Sequence, residues 1–108
     1  MKMIDLPFLL EWEPQILSGK KSATSRRTRY GYPGDYFEAF GARFILTVVC
    51  RFTLEHIARF HWWEEGCTCP EEFINVWTRL HPRVGFRPER KVYLHRFKPE
   101  AEYPQDTQ

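Results

Sequence analysis

Arg43-Phe44-Ile45-Leu46-Thr47-Val48-Val49-Cys50-Arg51-Phe52-Thr53 is the stretch on which the fold turns. Its β-branched and aromatic residues mark it as the strongest strand of the chain. Period two puts Phe44, Leu46, Val48, Cys50 and Phe52 on one face, with Arg43, Ile45, Thr47, Val49 and Arg51 on a mixed second face. A strand this long with one apolar face needs a sheet around it. On its upstream side Asp35–Phe40 reads as a partner strand, joined by a tight hairpin at Gly41-Ala42. On its downstream side Thr53 is placed to cap a helix over about 54–61, whose inner side carries Leu54, Ile57, Ala58 and His61.

The rest of the chain adds elements to that hairpin. Glu64-Glu65-Gly66 reads as a break. Thr68-Cys69-Pro70-Glu71 then fits a capping box, with Thr68 as the N-cap. The helix it starts runs to about Leu80, with Phe73, Ile74, Val76, Trp77 and Leu80 as its apolar stripe, and His81-Pro82 ends it. Residues 84–89 are a loop, and Lys91–Phe97 is a final strand. Upstream, residues 4–10 form an extended entry broken by Pro7, and a short helix follows at roughly 12–18. Pro14 is tolerated there only in the first turn, and Gly19 stands at a left-handed C-terminal cap. Pro33-Gly34 has the chemistry of a type II turn. The order of elements is α+β. The economical packing is one small, mostly antiparallel sheet curled into a partial barrel with flanking helices. Residues 1–98 are read as one domain and 99–108 as a polar tail.

The segment Gly19-Lys20-Lys21-Ser22-Ala23-Thr24-Ser25-Arg26-Arg27-Thr28-Arg29 fits none of these patterns. It holds five basic residues between 20 and 29, and no acidic residue occurs between Glu13 and Asp35. The whole chain carries only +2, so the remaining residues, 11 basic against 14 acidic, sum to −3. The positive charge is local, and it points to an anionic ligand. If the segment is a strand, Ser22, Thr24, Arg26 and Thr28 share one face and Ala23, Ser25, Arg27 and Arg29 the other. Neither face is apolar. The segment is therefore an irregular loop or the polar wall of a cleft.

Three cysteines, an odd number, argue against a disulfide framework and for a reducing compartment. The N-terminal residues lack a signal peptide's apolar run, and the longest apolar stretch, 44–50, is far short of the ~20 residues that span a bilayer. These features predict a cytoplasmic protein with no membrane association, a monomer or a weak dimer. Cys67-x-Cys69 is too tight for zinc, and His56 and His61 are five apart rather than four. No metal and no cofactor is expected.

Taken in order, these features resemble the ASCH family, a branch of the PUA-like fold. The motif is Gly19-x-Lys21-x-x-Thr24-x-Arg26 after a short helix. It is followed by Pro33-Gly34-Asp35, the Glu65-Gly66 break, Glu71-Glu72-Phe73, Trp77 and His81-Pro82. The likeness covers roughly residues 6–97. It implies a β-barrel with flanking helices and a cleft lined by the 19–29 segment, binding RNA or a nucleoside or (modified) nucleotide. On that reading Arg26, Arg27 and Arg29 contact phosphate, Lys20 adds charge, Lys21 and Thr24 bond a base edge, and Tyr30, Tyr32, Trp62 or Trp63 stack on it. Such stacking is worth about 1–3 kcal/mol per base. Trp12 and Trp77 are read as core.

One branch of the family is an amidohydrolase that removes the acetyl group of 4-acetylcytidine. Carried over, its roles fall on Lys21, Thr24 and a glutamate at the start of the 69–80 helix. Glu72 is preferred because it directly precedes Phe73, with Glu71 left open. Lys21 can serve Thr24 as a base only if the chain turns between them, because positions i and i+3 lie on opposite faces of a straight strand. Arg27 follows Arg26 where the amidohydrolase branch tends to carry an acid, a departure that favours an anionic ligand. Ser22 also replaces the family's more usual threonine.

Overall fold

The computed structural model describes residues 1–102. A four-stranded antiparallel sheet forms a half-barrel, in the order β1-β4-β3-β2. Its strands are β1 (Ala23–Arg26), β2 (Tyr36–Ala39), β3 (Ala42–Thr53) and β4 (Lys91–Pro99). The helices are α1 (Glu13–Leu17), α2 (Leu54–Phe60) and α3 (Pro70–Leu80), with single 3₁₀ turns at Leu10–Trp12 and Glu100–Glu102. The α+β class is as expected. β4 continues to Pro99, and residues 103–108 of the expected tail lie outside the described residues. No helix among the described residues is long and apolar enough to cross a membrane.

The hairpin of β2 and β3 turns on Phe40 and Gly41, both at positive φ (54° and 80°), with Ala39 opposite Ala42. That is the twist-matched two-residue turn, and Gly41 tolerates it without strain. Pro33-Gly34 closes with Asp35 N–H donating to Tyr32 C=O at 2.9 Å. Thr53 caps α2, its hydroxyl accepting from His56 N–H at 3.1 Å.

Two expectations are corrected. β3 does not keep one apolar face, because its register against β4 shifts between Leu46 and Val48. The bulge adds one residue, so the alternation flips: Phe44 and Leu46 share a face with Val49, while Val48, Cys50 and Phe52 fall on the other. The N-cap of α3 is Cys69 rather than Thr68, and it makes no side-chain capping bond. Instead Glu72 folds back, accepting from Thr68 N–H (2.6 Å) and Thr68 Oγ–H (2.9 Å). Only the glutamate half of a capping box is present, moved from Glu71 to Glu72: among the described residues, no side chain accepts from a first-turn N–H.

The sheet is covered on both faces. On one, Phe37, Phe44 and Phe97 form a box of ring contacts at 5.2–5.5 Å, and Phe8 of the N-terminal arm closes it at 5.8 Å from Phe37. That arm runs parallel to β2, with Ile4 N–H donating to Tyr36 C=O at 2.8 Å. Leu54 and Ile57 of α2 and Phe73 and Trp77 of α3 complete the core.

Candidate functional site

β1 lies at the sheet edge, and this resolves its odd composition. One side of the strand pairs with β4; its other side is open to a cavity of about 430 Å³. The wall opposite consists of Phe8 and Trp12 from the N-terminal segment, Glu65 and Cys67 from the turn between α2 and α3, and Phe73, Trp77 and His81 from α3 and its end. Thr24, Ser25 and Arg26 all line the space, although neighbours in a strand point to opposite faces. They can do so because the cavity wraps the strand edge. Phe97 N–H donates to Ser22 C=O on the β4 side, while Ala23 N–H donates to Glu64 C=O on the outer side. Strand alternation then turns the main-chain N–H and C=O of Ser25 outward too, toward the cavity.

The floor is a buried ionic cluster. Lys21 Nζ donates to Glu65 C=O (2.9 Å) and to Glu65 Oε1 (3.2 Å), and it lies 4.7 Å from the centre of the Trp12 ring. Ser25 Oγ donates to Glu65 Oε2 at 2.5 Å. Lys21, Ser25 and Glu65 are all buried, at 4%, 8% and 5% exposure. Burying such a pair is unfavourable for each ion alone, so it survives only with further hydrogen bonds to the same groups. The neighbouring Glu64 fixes this turn to the sheet. Its carboxylate accepts from Arg96 Nε at 2.6 Å and meets His61 Nδ1 at 2.7 Å. Burial alone would raise the Glu64 pKa, but the bonds from Arg96 and His61 outweigh it and hold it below the usual range.

Gly66 closes the cluster. It sits at φ +87°, and a Cβ there would meet Lys21 Cβ at 2.9 Å. Gly66→Ala is therefore expected to destabilise the fold by about 1–3 kcal/mol, measurable by denaturant unfolding. It should also weaken any ligand contact made through Lys21.

Above the floor, Arg26 spans the mouth. Its Nη2 donates to Pro7 C=O (2.6 Å) and its Nε to Thr24 Oγ1 (3.3 Å), with the guanidinium 5.1 Å from the Phe8 ring and 5.3 Å from the Tyr30 ring. Burial lowers its pKa, with Tyr30 acting in the opposite direction. His95 supports this wall from beneath. Its Nε2 accepts from Tyr30 N–H at 3.1 Å, which leaves Nδ1 as the protonated atom facing Thr24 C=O at 3.3 Å. Burial lowers the His95 pKa, and the Arg26 and Arg29 charges push the same way. The unfolded chain then takes up the proton more readily. Stability is full above about pH 6.5, the ordinary histidine value, and falls as pH drops toward the folded pKa. Urea midpoints between pH 7.5 and 5.5 should show that fall, and His95→Gln should remove it.

Of the residues singled out by sequence, the structure brings Lys21, Thr24, Arg26, Arg27 and Tyr30 to one cavity. Lys20 is exposed and outside it. Arg29 is exposed and turned to the outer surface, 4.7 Å from the Tyr32 ring and 5.2 Å from the Tyr93 ring. Glu71 is exposed, and Glu72 is occupied with Thr68; neither lines the cavity. The acid that meets Lys21 is Glu65, which sequence reading took only as part of a break. Trp62 packs against the core and Trp63 is exposed, whereas Trp12 and Trp77, read as core alone, are buried and also form cavity walls. Two adjacent acids in a glycine-ended turn were the signal for Glu65, since a basic segment without nearby acids needs a counter-charge from elsewhere. Burial pushes the Cys67 thiol up to about 12, so it is not a nucleophile near neutral pH. Among the described residues, no three metal-ligating side chains cluster.

No family model matches the chain. No curated protein matches it in sequence. Solved structures do match. Hypothetical protein PH0355 aligns over 91% of this chain and 96% of its own, at 18% identity and TM-score 0.64. The ASCH domain from Lactobacillus crispatus covers 91% of this chain and 79% of its own, at 17% identity and TM-score 0.61. Protein EF3133 from Enterococcus faecalis covers 91% and 75%, at 18% identity and TM-score 0.62. At these identities the likeness is one of fold, and it is the ASCH-type fold expected from the sequence.

Proposed function

We propose that this chain binds RNA or a nucleotide by holding one base in the cavity beside β1. The observation that carries this reading is the combination of aromatic walls with the buried Lys21–Glu65–Ser25 floor. A volume of about 430 Å³ falls in the range of small-ligand sites, which are mostly apolar with a few fixed polar groups. Phe8, Tyr30 and His81 offer faces for stacking. Ser25 N–H and C=O, with the free lone pairs of Glu65, offer donors and acceptors to a base edge, as single-stranded bases require. Arg26 and Arg27, which line the same cavity, supply positive charge for a phosphate attached to that base.

Nucleoside 5′-monophosphates should quench the fluorescence of Trp12 and Trp77 saturably. Ser25→Val removes the hydroxyl that fixes the Glu65 carboxylate and adds a methyl group to the cavity floor; it should weaken binding about tenfold, about 1.4 kcal/mol. A wild-type protein that binds neither nucleotides nor single-stranded RNA at millimolar concentration would end this reading.

A second reading, amide hydrolysis of an acylated cytidine, is favoured by one feature: a hydroxyl already bonded to a carboxylate within the cavity. The expected set Lys21, Thr24 and Glu72 becomes Lys21, Thr24 and Glu65. A hydroxyl attacks the acyl carbon and passes its proton to Glu65, which returns it to the amine as the C–N bond breaks; water then releases the acyl group as acetate. Lys21 would stabilise the oxyanion. The hydroxyl in contact with Glu65 is that of Ser25, whereas Thr24 Oγ1 accepts from Arg26. Acetate release from 4-acetylcytidine, compared among wild type, Thr24→Ala and Ser25→Ala, identifies the nucleophile. No release from the wild type excludes this activity.

A further inference from the structure

The base cavity does not end at His81. A second depression of about 650 Å³ adjoins it and shares Arg27, Trp77, Leu80 and His81 with it. It continues past Pro82, Arg83, Val84 and Gly85 to Arg90. Among the described residues, no acidic residue lines it. Arg27, Arg83 and Arg90 make no ion pair and donate no side-chain hydrogen bond among the described residues. Elsewhere Arg43, Arg59, Arg79 and Arg96 each meet a carboxylate, Arg26, Arg29 and Arg51 lie over aromatic rings, and Arg87 stands alone on the surface. Three unpaired guanidiniums along one groove, in a chain whose net charge is only +2, are a concentration of binding capacity for anions.

The shared wall connects the two spaces physically. His81 stacks on Trp77 with ring centres 4.0 Å apart and 21° between planes. Its Nδ1 faces Trp77 C=O at 3.0 Å, so its Nε2 is free to meet a ligand. The groove floor is held by the α3 end, where Gly85 N–H donates to His81 C=O at 2.7 Å. Arg90 is anchored through its main chain, its C=O accepting from Leu54 N–H at 2.8 Å, which leaves its side chain uncommitted.

We infer that this groove carries the phosphodiester backbone next to the bound base, so the ligand is a single-stranded polynucleotide rather than a free nucleoside. The inference rests on the base-binding reading of the first cavity. Arg27, at the junction, contacts the phosphate of the seated nucleotide; Arg83 and Arg90 contact phosphates beyond it. Guanidinium forks suit phosphate oxygens, and such contacts position a strand without reading its sequence. RNA and DNA strands should therefore use the groove alike, and any preference between them arises in the base cavity.

The test compares wild type with Arg83→Ala/Arg90→Ala and Arg83→Lys/Arg90→Lys. The probes are a 5′-mononucleotide and RNA and DNA oligonucleotides of about eight residues, across a salt series. Losing two phosphate contacts should lower the salt slope by about 1.4, about 0.7 for each contact on a single strand. The alanine variant should weaken oligonucleotide binding about tenfold, leave the mononucleotide within twofold and leave the unfolding midpoint unchanged; the lysine variant should retain most of the slope. Unchanged oligonucleotide affinity and slope in the alanine variant would overturn the inference. Equal losses for mononucleotide and oligonucleotide would overturn it as well. Failure of the base-binding reading looks different: Ser25→Val would then bind the oligonucleotide as wild type does, whatever the groove variants do.

Discussion

Glu65→Ala is expected to destabilise the protein by about 3–5 kcal/mol, the range for removing one partner of a buried ion pair. The substitution strands the Lys21 ammonium at 4% exposure with only Glu65 C=O and the Trp12 ring for company, and it leaves Ser25 Oγ–H without its acceptor. Removing both charges together, as in Lys21→Met/Glu65→Leu, should recover much of the loss, because no uncompensated charge then remains. Glu72→Ala supplies the contrast. Its carboxylate serves a helix start at a partly exposed position, so about 0.5–2 kcal/mol is at stake there. Denaturant unfolding of the three variants orders them. A Glu65→Ala loss below that of Glu72→Ala would show that the Lys21–Glu65 contact does not persist in solution.

Phe37→Ala should be as damaging, at about 3–5 kcal/mol for an aromatic deleted from a tight core. Phe37 is fully buried and meets Phe8, Phe44 and Phe97 with ring centres within 5.8 Å. The loss reaches the site, because Phe8 is both a member of that box and a wall of the base cavity. Equilibrium unfolding should show the destabilisation, and nucleotide affinity should fall with it as Phe8 loses its support. Tyr32→Ala, at an exposed position, should change stability by no more than about 0.5 kcal/mol.

The hairpin, the two longer helices and the final strand were legible because their signals are local. Apolar residues at period two or 3.6, a glycine at a turn and Thr53 before a helix act within a few residues of themselves. The β3 bulge was not legible, since an inserted residue such as Thr47 leaves no mark on composition and shows only when Leu46 and Val48 meet their partners on β4. The basic segment was legible as a cleft wall but not as an edge strand, because what excludes an apolar face is the cavity beside it. The Lys21–Glu65 contact was not legible for the same reason. Lys21 and Glu65 are separated by 44 positions and meet only through the turn that Gly66 closes. Glu72 carried the right residue type in a local capping pattern, and that pattern is what its carboxylate satisfies.

The most direct test of base binding beside β1 follows the indole N–H signals of the four tryptophans by nitrogen-15 NMR during titration with a single-stranded oligonucleotide. Trp12 and Trp77 line the cavity, while Trp63 is exposed and outside it. Saturable shifts at Trp12 and Trp77, with Trp63 unmoved, are the predicted result. Shifts at Trp63 alone, or no shift at Trp12 and Trp77 under conditions where the oligonucleotide is bound, would contradict it.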